Sequence, residues 1–150
     1  MKKALYAGSF NPWHRGHEDV LFKALNIFDK VVIAVGTNPA KPVSNDELKR
    51  RADYIKGKYQ GRSEIEVITF VGLLIDLIEE MAADEGGRPC SMVRGLRNST
   101  DLQFEMEQQY WNEDLGLGIP ICYFITDRKL VHMSSSNIRY VESLGINVVE

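Results

Sequence analysis

The sequence predicts an α/β fold, a doubly wound sheet of five parallel strands with helices on both faces. Three observations predict it. Short apolar runs alternate with longer amphipathic segments throughout the 150 residues. The clearest run, Val31-Val32-Ile33-Ala34-Val35, is continuous rather than alternating, as in a strand buried on both faces. No linker, internal repeat or low-complexity tract breaks the order. Strand and helix in repeated succession imply crossover connections and a Rossmann-like parallel sheet covered on both sides.

The elements follow in order. Ala4-Leu5-Tyr6-Ala7 is a first buried strand. Between His17 and Phe28, the residues Val20, Leu21, Ala24, Leu25 and Phe28 fall on one helical face. Residues 31–35 form the second strand. Ser44 and Glu47 are spaced as a capping box and open a helix with Leu48, Ala52 and Ile55 inward. Residues 64–70, built around Ile65 and Val67, are a third strand, and residues 73–83 a strongly apolar helix. Cys90-Ser91-Met92-Val93 is the fourth strand. Thr100 and Gln103 have the spacing to cap the next helix, which carries Leu102, Met106 and Tyr110. Residues 119–125 are the fifth strand. Ser134 to Leu144 is the last helix, with Gly145 as its stop.

The totals bound the function. An apolar fraction of 44% and a charged fraction of 26% suit one domain over residues 1–150. A net charge of −3 speaks against a general nucleic-acid binder. No window approaches 18 unbroken apolar residues, so no membrane span is expected. Met1-Lys2-Lys3 leads into a strand rather than a signal peptide, which suggests a cytoplasmic protein. Cys90 and Cys122 sit in apolar runs and read as buried thiols of a reducing compartment.

In such a sheet, ligands collect at the carboxyl ends of the strands, near the switch in strand order. The loops there carry the chemistry. After strand one comes Gly8-Ser9-Phe10-Asn11-Pro12-Trp13-His14-Arg15-Gly16-His17. Ser9 offers a hydroxyl and an N–H to an anion. Gly16 lets a phosphate approach a helix start, where free N–H groups favour negative charge. His14 and His17 are three residues apart and share a side, so both imidazoles can donate to phosphate oxygens. A zinc pair lacks a third ligand. The P-loop and the dinucleotide fingerprint are both missing from the sequence.

After strand two, the loop Thr37-Asn38-Pro39-Ala40-Lys41-Pro42 places Lys41 where it can reach a second phosphate. After strand four, Arg94 and Arg97 bracket Gly95-Leu96. They offer bidentate phosphate contacts or, as the plainer alternative, surface salt bridges. After strand five, Ser134-Ser135-Ser136 reads as an N-cap and anion nest, or as an ordinary cap.

Together these loops resemble the nucleotidyltransferase superfamily marked by a [T/H]xGH motif, and more narrowly the bacterial phosphopantetheine adenylyltransferase family. The diagnostic stretch is Val93-Arg94-Gly95-Leu96-Arg97, followed by Asp101 and Phe104-Glu105. Phe28-Asp29, Asn38-Pro39, Gly72-Leu73-Leu74 and Ser134-Ser135-Ser136 also match. The resemblance implies a single nucleotidyltransferase domain that moves AMP from ATP to 4′-phosphopantetheine in coenzyme A biosynthesis, giving dephospho-coenzyme A and pyrophosphate. It implies that Ser9, Phe10, His14, His17, Gly95, Leu96, Arg97, Glu105, Ser134, Ser135 and Ser136 hold ATP, accompanied by Mg²⁺. Ser9, Lys41, Leu73, Leu74 and Arg94 would hold phosphopantetheine, with His17, Lys41 and Ser9 the catalytic set and no metal bound by protein ligands. It also implies a homo-oligomer, a hexamer. His14 stands where those enzymes have threonine. With Asn137-Ile138-Arg139 it resembles the nicotinate or nicotinamide mononucleotide adenylyltransferases, so that acceptor stays an alternative. A catalytically silent nucleotide-binding protein is a further one.

Overall fold

The computed structural model describes residues 1–37, 40–84, 87–116 and 118–148. Strand and helix alternate as β1 (Lys3–Gly8), α1 (Arg15–Leu25), β2 (Lys30–Val35), α2 (Asn45–Lys58), β3 (Ile65–Thr69), α3 (Leu74–Ala83), β4 (Ser91–Leu96), α4 (Ser99–Asp114), β5 (Ile121–Ile125) and α5 (Ser135–Ser143). A short 3-10 turn, Arg128–Leu130, precedes α5.

The strands lie in the order β3-β2-β1-β4-β5, and every neighbouring pair is parallel. This is the doubly wound sheet the alternation predicts. From β1 the chain winds outward through β2 and β3, then returns to β4 on the other side of β1. The switch therefore lies between β1 and β4, and their carboxyl ends diverge around a crevice.

Successive side chains of a strand point to opposite faces, so each strand feeds two cores. On one face, Tyr6, Val31, Ile33, Val35 and Val93 pack with Val20, Leu21 and Ala24 of α1 and Leu48, Ala52 and Ile55 of α2. On the other, Leu5, Val32, Ala34 and Met92 pack with Leu77, Ile78 and Met81 of α3. The central strands are buried on both sides, which is why β2 reads as an unbroken apolar run.

Trp13 sits in the first core at 2% exposure. Its Nε1–H donates to the Tyr59 hydroxyl at 3.0 Å, and that hydroxyl donates to Glu18 at 2.5 Å. The chain of bonds ties the loop after β1 to α1 and to the end of α2.

Several elements differ from the sequence reading. β4 continues through Leu96, so Arg94 and Gly95 lie within the strand rather than in the loop beyond it. Pairing with β5 holds them there, Arg94 against Tyr123 and Gly95 against Phe124. α1 starts at Arg15, because His14 rather than a later residue caps it. At α2, Ser44 accepts from the Glu47 N–H, but the Glu47 carboxylate turns forward to Arg50 and Arg51 instead of back to Ser44. The capping box is therefore half made.

α4 is capped by Asn98, which accepts from the Asp101 N–H, not by Thr100 with Gln103. Leu102, Met106 and Tyr110 on that helix are exposed, and Glu105 is its buried residue. Their spacing is helical, but no other element among the described residues covers them. Cys90 is exposed and Cys122 half-buried, which corrects the reading of both as buried thiols. Cys90 lies just before β4, outside the core its apolar neighbours enter.

Candidate active site

A cavity of about 620 Å³ opens over the switch point. Its walls come from the end of β1 (Tyr6, Ala7, Gly8, Ser9, Phe10), the start of α1 (His14, Gly16, His17, Val20) and β4 with α4 (Arg94, Gly95, Arg97, Thr100, Asp101, Phe104, Glu105). Thr126 after β5 and the segment Met133–Ser136 close it.

The start of α1 is capped by two histidines acting on each other's turn. The His14 Nδ1 accepts from the Gly16 N–H at 3.0 Å. The His17 Nδ1 accepts from the His14 N–H at 3.2 Å. This is the reciprocal geometry of a capping box, with imidazole in place of hydroxyl and carboxylate. The two rings stack with centroids 3.8 Å apart and planes at 28°.

A ring nitrogen that accepts a hydrogen bond carries no proton, so a neutral ring must carry it on the other. Both rings therefore present an Nε2–H. Burial keeps both neutral. It pulls the His14 pKa down to about 4, with the Arg97 charge adding to the effect. His17 is held well below its ordinary value by burial first, then by His14, Arg94 and Arg97.

The motif's glycine follows from the same stack. A Cβ on Gly16 would lie 2.8 Å from the His14 Cε1 and 3.0 Å from its Nδ1. Gly95 is fixed from the other side. A Cβ there would meet the Val20 Cγ2 at 2.7 Å, so only glycine lets α1 approach β4 this closely. An aromatic wall backs His17: Trp13 stacks on it at 5.2 Å and Phe10 meets it edge-on at 5.0 Å. Phe10 adopts φ 44°, the left-handed region that a bulky residue rarely enters. Its packing against Tyr6 and Trp13 holds it there.

Both arginines are about one-third exposed and both are paired. Arg94 donates to the Glu105 Oε1 from Nε (3.0 Å) and Nη2 (2.7 Å), and to the Ala7 carbonyl from Nη1. Arg97 donates to Asp101 from Nε (2.9 Å), Nη2 (3.1 Å) and its backbone N–H (2.9 Å). The Arg97 hydrogen bond holds the Asp101 carboxyl below the usual range. The salt bridges of the plainer alternative are thus present, and the same guanidinium groups, held by carboxylates from α4, also line the cavity.

The serine segment braces the opening loop. Ser134 caps α5 by accepting from the Asn137 N–H at 3.1 Å. The Ser135 hydroxyl donates to the Pro12 carbonyl at 3.1 Å, and Arg139 donates to the Asn11 carbonyl and to the Ser136 hydroxyl.

Ser9, Phe10, His14, His17, Arg94, Gly95, Arg97, Glu105 and Ser134–Ser136 thus share one cavity. Lys41, Leu73, Leu74 and Leu96 do not line it. Lys41 is exposed after β2, and Leu73 is the exposed N-cap residue of α3. Leu74 packs partly against the second core. Leu96 contributes its carbonyl to the Thr126 N–H at 2.8 Å. Asn38 and Pro39 lie outside the described residues.

Three residues escape the sequence reading. Arg51, buried, donates to the Ser9 carbonyl at 3.3 Å and to Glu47 at 2.9 Å. Its spacing of four from Glu47 was the available signal. Tyr6, within a strand read only as core, and Thr126, just beyond the fifth strand, also line the cavity.

The depressed histidine pKa values set a pH dependence. The fold holds the neutral rings, so their contribution is complete above the unfolded value near 6.5 and is lost as pH falls toward 4. We expect the melting temperature to fall over that window. His14→Asn keeps an acceptor for the Gly16 N–H but removes one titration, so thermal melts from pH 7 to 4 should show a shallower loss. An unchanged slope would contradict the assignment.

The cytidylyltransferase-like family model matches residues 5–141. The phosphopantetheine adenylyltransferase of Porphyromonas gingivalis is 38% identical over 150 residues, covering 99% of this chain and 93% of that one. The protein of the same name from Micrococcus luteus is 36% identical over 151 residues, with 100% and 91% covered. Among solved structures, a putative nicotinate-nucleotide adenylyltransferase from Vibrio parahaemolyticus superposes with a TM-score of 0.67 at 19% identity, covering 98% of this chain and 84% of that one. That likeness is one of fold. At more than 30% identity along nearly its whole length, the chain belongs to the phosphopantetheine adenylyltransferases of the cytidylyltransferase-like family.

Proposed function

We propose that this protein transfers the adenylyl group of MgATP to 4′-phosphopantetheine, releasing dephospho-coenzyme A and pyrophosphate. The observation that carries the reading is the pair of histidines at a helix start that share one cavity with two arginines. Family membership supplies the acceptor.

The acceptor phosphate is ionised at neutral pH, so no side chain has to remove a proton. One of its oxygens attacks the α-phosphorus. The new O–P bond forms as the bond from that phosphorus to the bridging oxygen of the β-phosphate breaks. Pyrophosphate leaves with the bridging oxygen and the electron pair. The protein's task is alignment and neutralisation of charge on the phosphoryl oxygens.

The His17 Nε2–H is the proposed donor to the pentavalent α-phosphate, with Ser9 and Lys41 assisting. His14, Arg97, Glu105, Gly95, Leu96, Phe10 and Ser134–Ser136 would hold ATP. Arg94, Lys41, Leu73 and Leu74 would hold the acceptor. Lys41 after β2, Leu73 just before α3 and Leu74 at the start of α3 stand apart from the cavity here, so their role rests on the family match alone.

Magnesium would enter as part of the ATP substrate. Among the described residues no three His, Cys, Asp or Glu side chains gather to hold a metal. The cavity carboxylates Asp101 and Glu105 are engaged by Arg97 and Arg94. Magnesium accompanying the nucleotide would neutralise charge on the departing pyrophosphate.

The protein is proposed to act in the cytoplasm. Among the described residues no helix is long and apolar enough to cross a membrane. A homo-oligomer, a hexamer, is also proposed. Support comes from the exposed Leu102, Phe104, Met106, Tyr110, Trp111 and Leu115 on and just after α4. Light scattering should then read a hexamer; the mass of a single chain would refute it.

With ATP, Mg²⁺ and phosphopantetheine, pyrophosphate release is expected, and far less with nicotinamide mononucleotide as acceptor. His17→Ala should lower kcat by roughly 10²–10³-fold while ATP binding is largely kept. Near-normal turnover in that variant would overturn the role of His17. No release with phosphopantetheine would overturn the function.

A further inference from the structure

Tyr6 is 5% exposed and lines the cavity beneath His17, with ring centroids 6.4 Å apart. Its ring is fixed by edge contacts to Phe10 at 5.3 Å and Trp13 at 6.0 Å. Its hydroxyl, unlike that of Tyr59, has no hydrogen-bond partner among the described residues. A phenol oxygen sealed in the core without a partner would be costly, and among the described residues the one fully enclosed, unpartnered side-chain polar atom is Gln109 Oε1. The Tyr6 oxygen therefore keeps access to the cavity that its residue lines. A nearly buried phenol with its polar end open to the cavity and no bonding partner among the described residues is incomplete without a ligand.

The surroundings say what that ligand group is. The cavity that Tyr6 lines is rich in donors: the Nε2–H of His14 and His17 and the guanidinium of Arg94 and Arg97, beside the hydroxyls of Ser9, Thr100, Thr126 and Ser134–Ser136; the Asp19 carboxylate also acts on the Tyr6 phenol. The carboxylates that share the cavity, Asp101 and Glu105, are already engaged by those arginines. Burial, outweighing the Arg94 charge, holds the phenol well above its usual range, so it stays protonated. A protonated phenol among donors meets an anionic oxygen.

We propose that Tyr6 is a ligand-binding residue whose hydroxyl donates a hydrogen bond to a phosphoryl oxygen in the cavity. The inference rests on the proposed adenylyl transfer for the identity of that phosphoryl group, which belongs either to ATP or to the acceptor.

Tyr6→Phe tests it, because it removes the hydroxyl and keeps the ring. If the hydroxyl contributes nothing to the empty protein, the melting temperature stays equal or rises. Phosphate binding should weaken roughly ten- to a hundredfold, the effect of one hydrogen bond to a charged group. Three readouts separate the sources. Titration with a non-hydrolysable ATP analogue reads a contact to ATP, the KM for phosphopantetheine a contact to the acceptor, and kcat alone a contact made only in the transition state. A loss in any one of them, at unchanged stability, supports the proposal. Equal values in all three overturn it, as does a loss matched by a lowered melting temperature. Tyr6→Leu, which removes ring and hydroxyl, should lower the melting temperature and so shows that the packing role is read separately. If wild type itself releases no pyrophosphate with phosphopantetheine, the functional reading fails. The ATP-analogue titration still decides whether Tyr6 touches a phosphoryl oxygen of ATP.

Discussion

The reciprocal pair of hydrogen bonds between the turns of His14 and His17 is the constraint on which the site depends. Each ring uses its Nδ1 to satisfy a backbone N–H that a helix start would otherwise leave unpaired. The structural need of the helix thereby settles a chemical question. With Nδ1 committed as acceptor and burial forbidding a second proton, each ring must offer Nε2–H. The cap that starts α1 also fixes the tautomers of the two imidazoles. The stack they form excludes any side chain at Gly16.

The sheet delivers everything else to that pair. Because β4 lies beside β1, Arg94 reaches across to the Ala7 carbonyl. Because Gly95 has no side chain, α1 presses onto β4 and the two loops share one cavity. Asp101 and Glu105 of α4 then act as aiming groups. They hold both guanidinium groups in defined orientations at the cavity wall. Ser135 and Arg139 anchor the loop 9–14 from the far side, at the Pro12 and Asn11 carbonyls. The site is thus assembled on strand ends and helix starts rather than on free loops.

Much of this was legible in the sequence, for identifiable reasons. Parallel strands buried on both faces leave continuous apolar runs, so β1 and β2 are plain. The strand–helix alternation then restricts the topology. The opening loop was legible because His14, Gly16 and His17 are close in sequence and act locally. What failed was non-local or degenerate. β4 extends past Val93 because β5 pairs with it, and pairing has no local signature. Thr100 with Gln103 and Asn98 with Asp101 are both possible caps by residue type, and the turn geometry chose the second. The helical stripe Leu102, Met106 and Tyr110 looks like core although nothing among the described residues covers it. Tyr6 read as a strand residue and Arg51 was not singled out, because their polar ends meet the site only once the sheet and α2 are in place.

The central claim is that both histidines are neutral and protonated on Nε2 because their Nδ1 atoms cap α1. Long-range ¹H–¹⁵N correlation spectra of the imidazoles at pH 7 test it directly, since they distinguish the two neutral tautomers from each other and from imidazolium. The account predicts that His14 and His17 both show the Nε2–H tautomer. An Nδ1–H pattern, or a doubly protonated ring at either position, would contradict it.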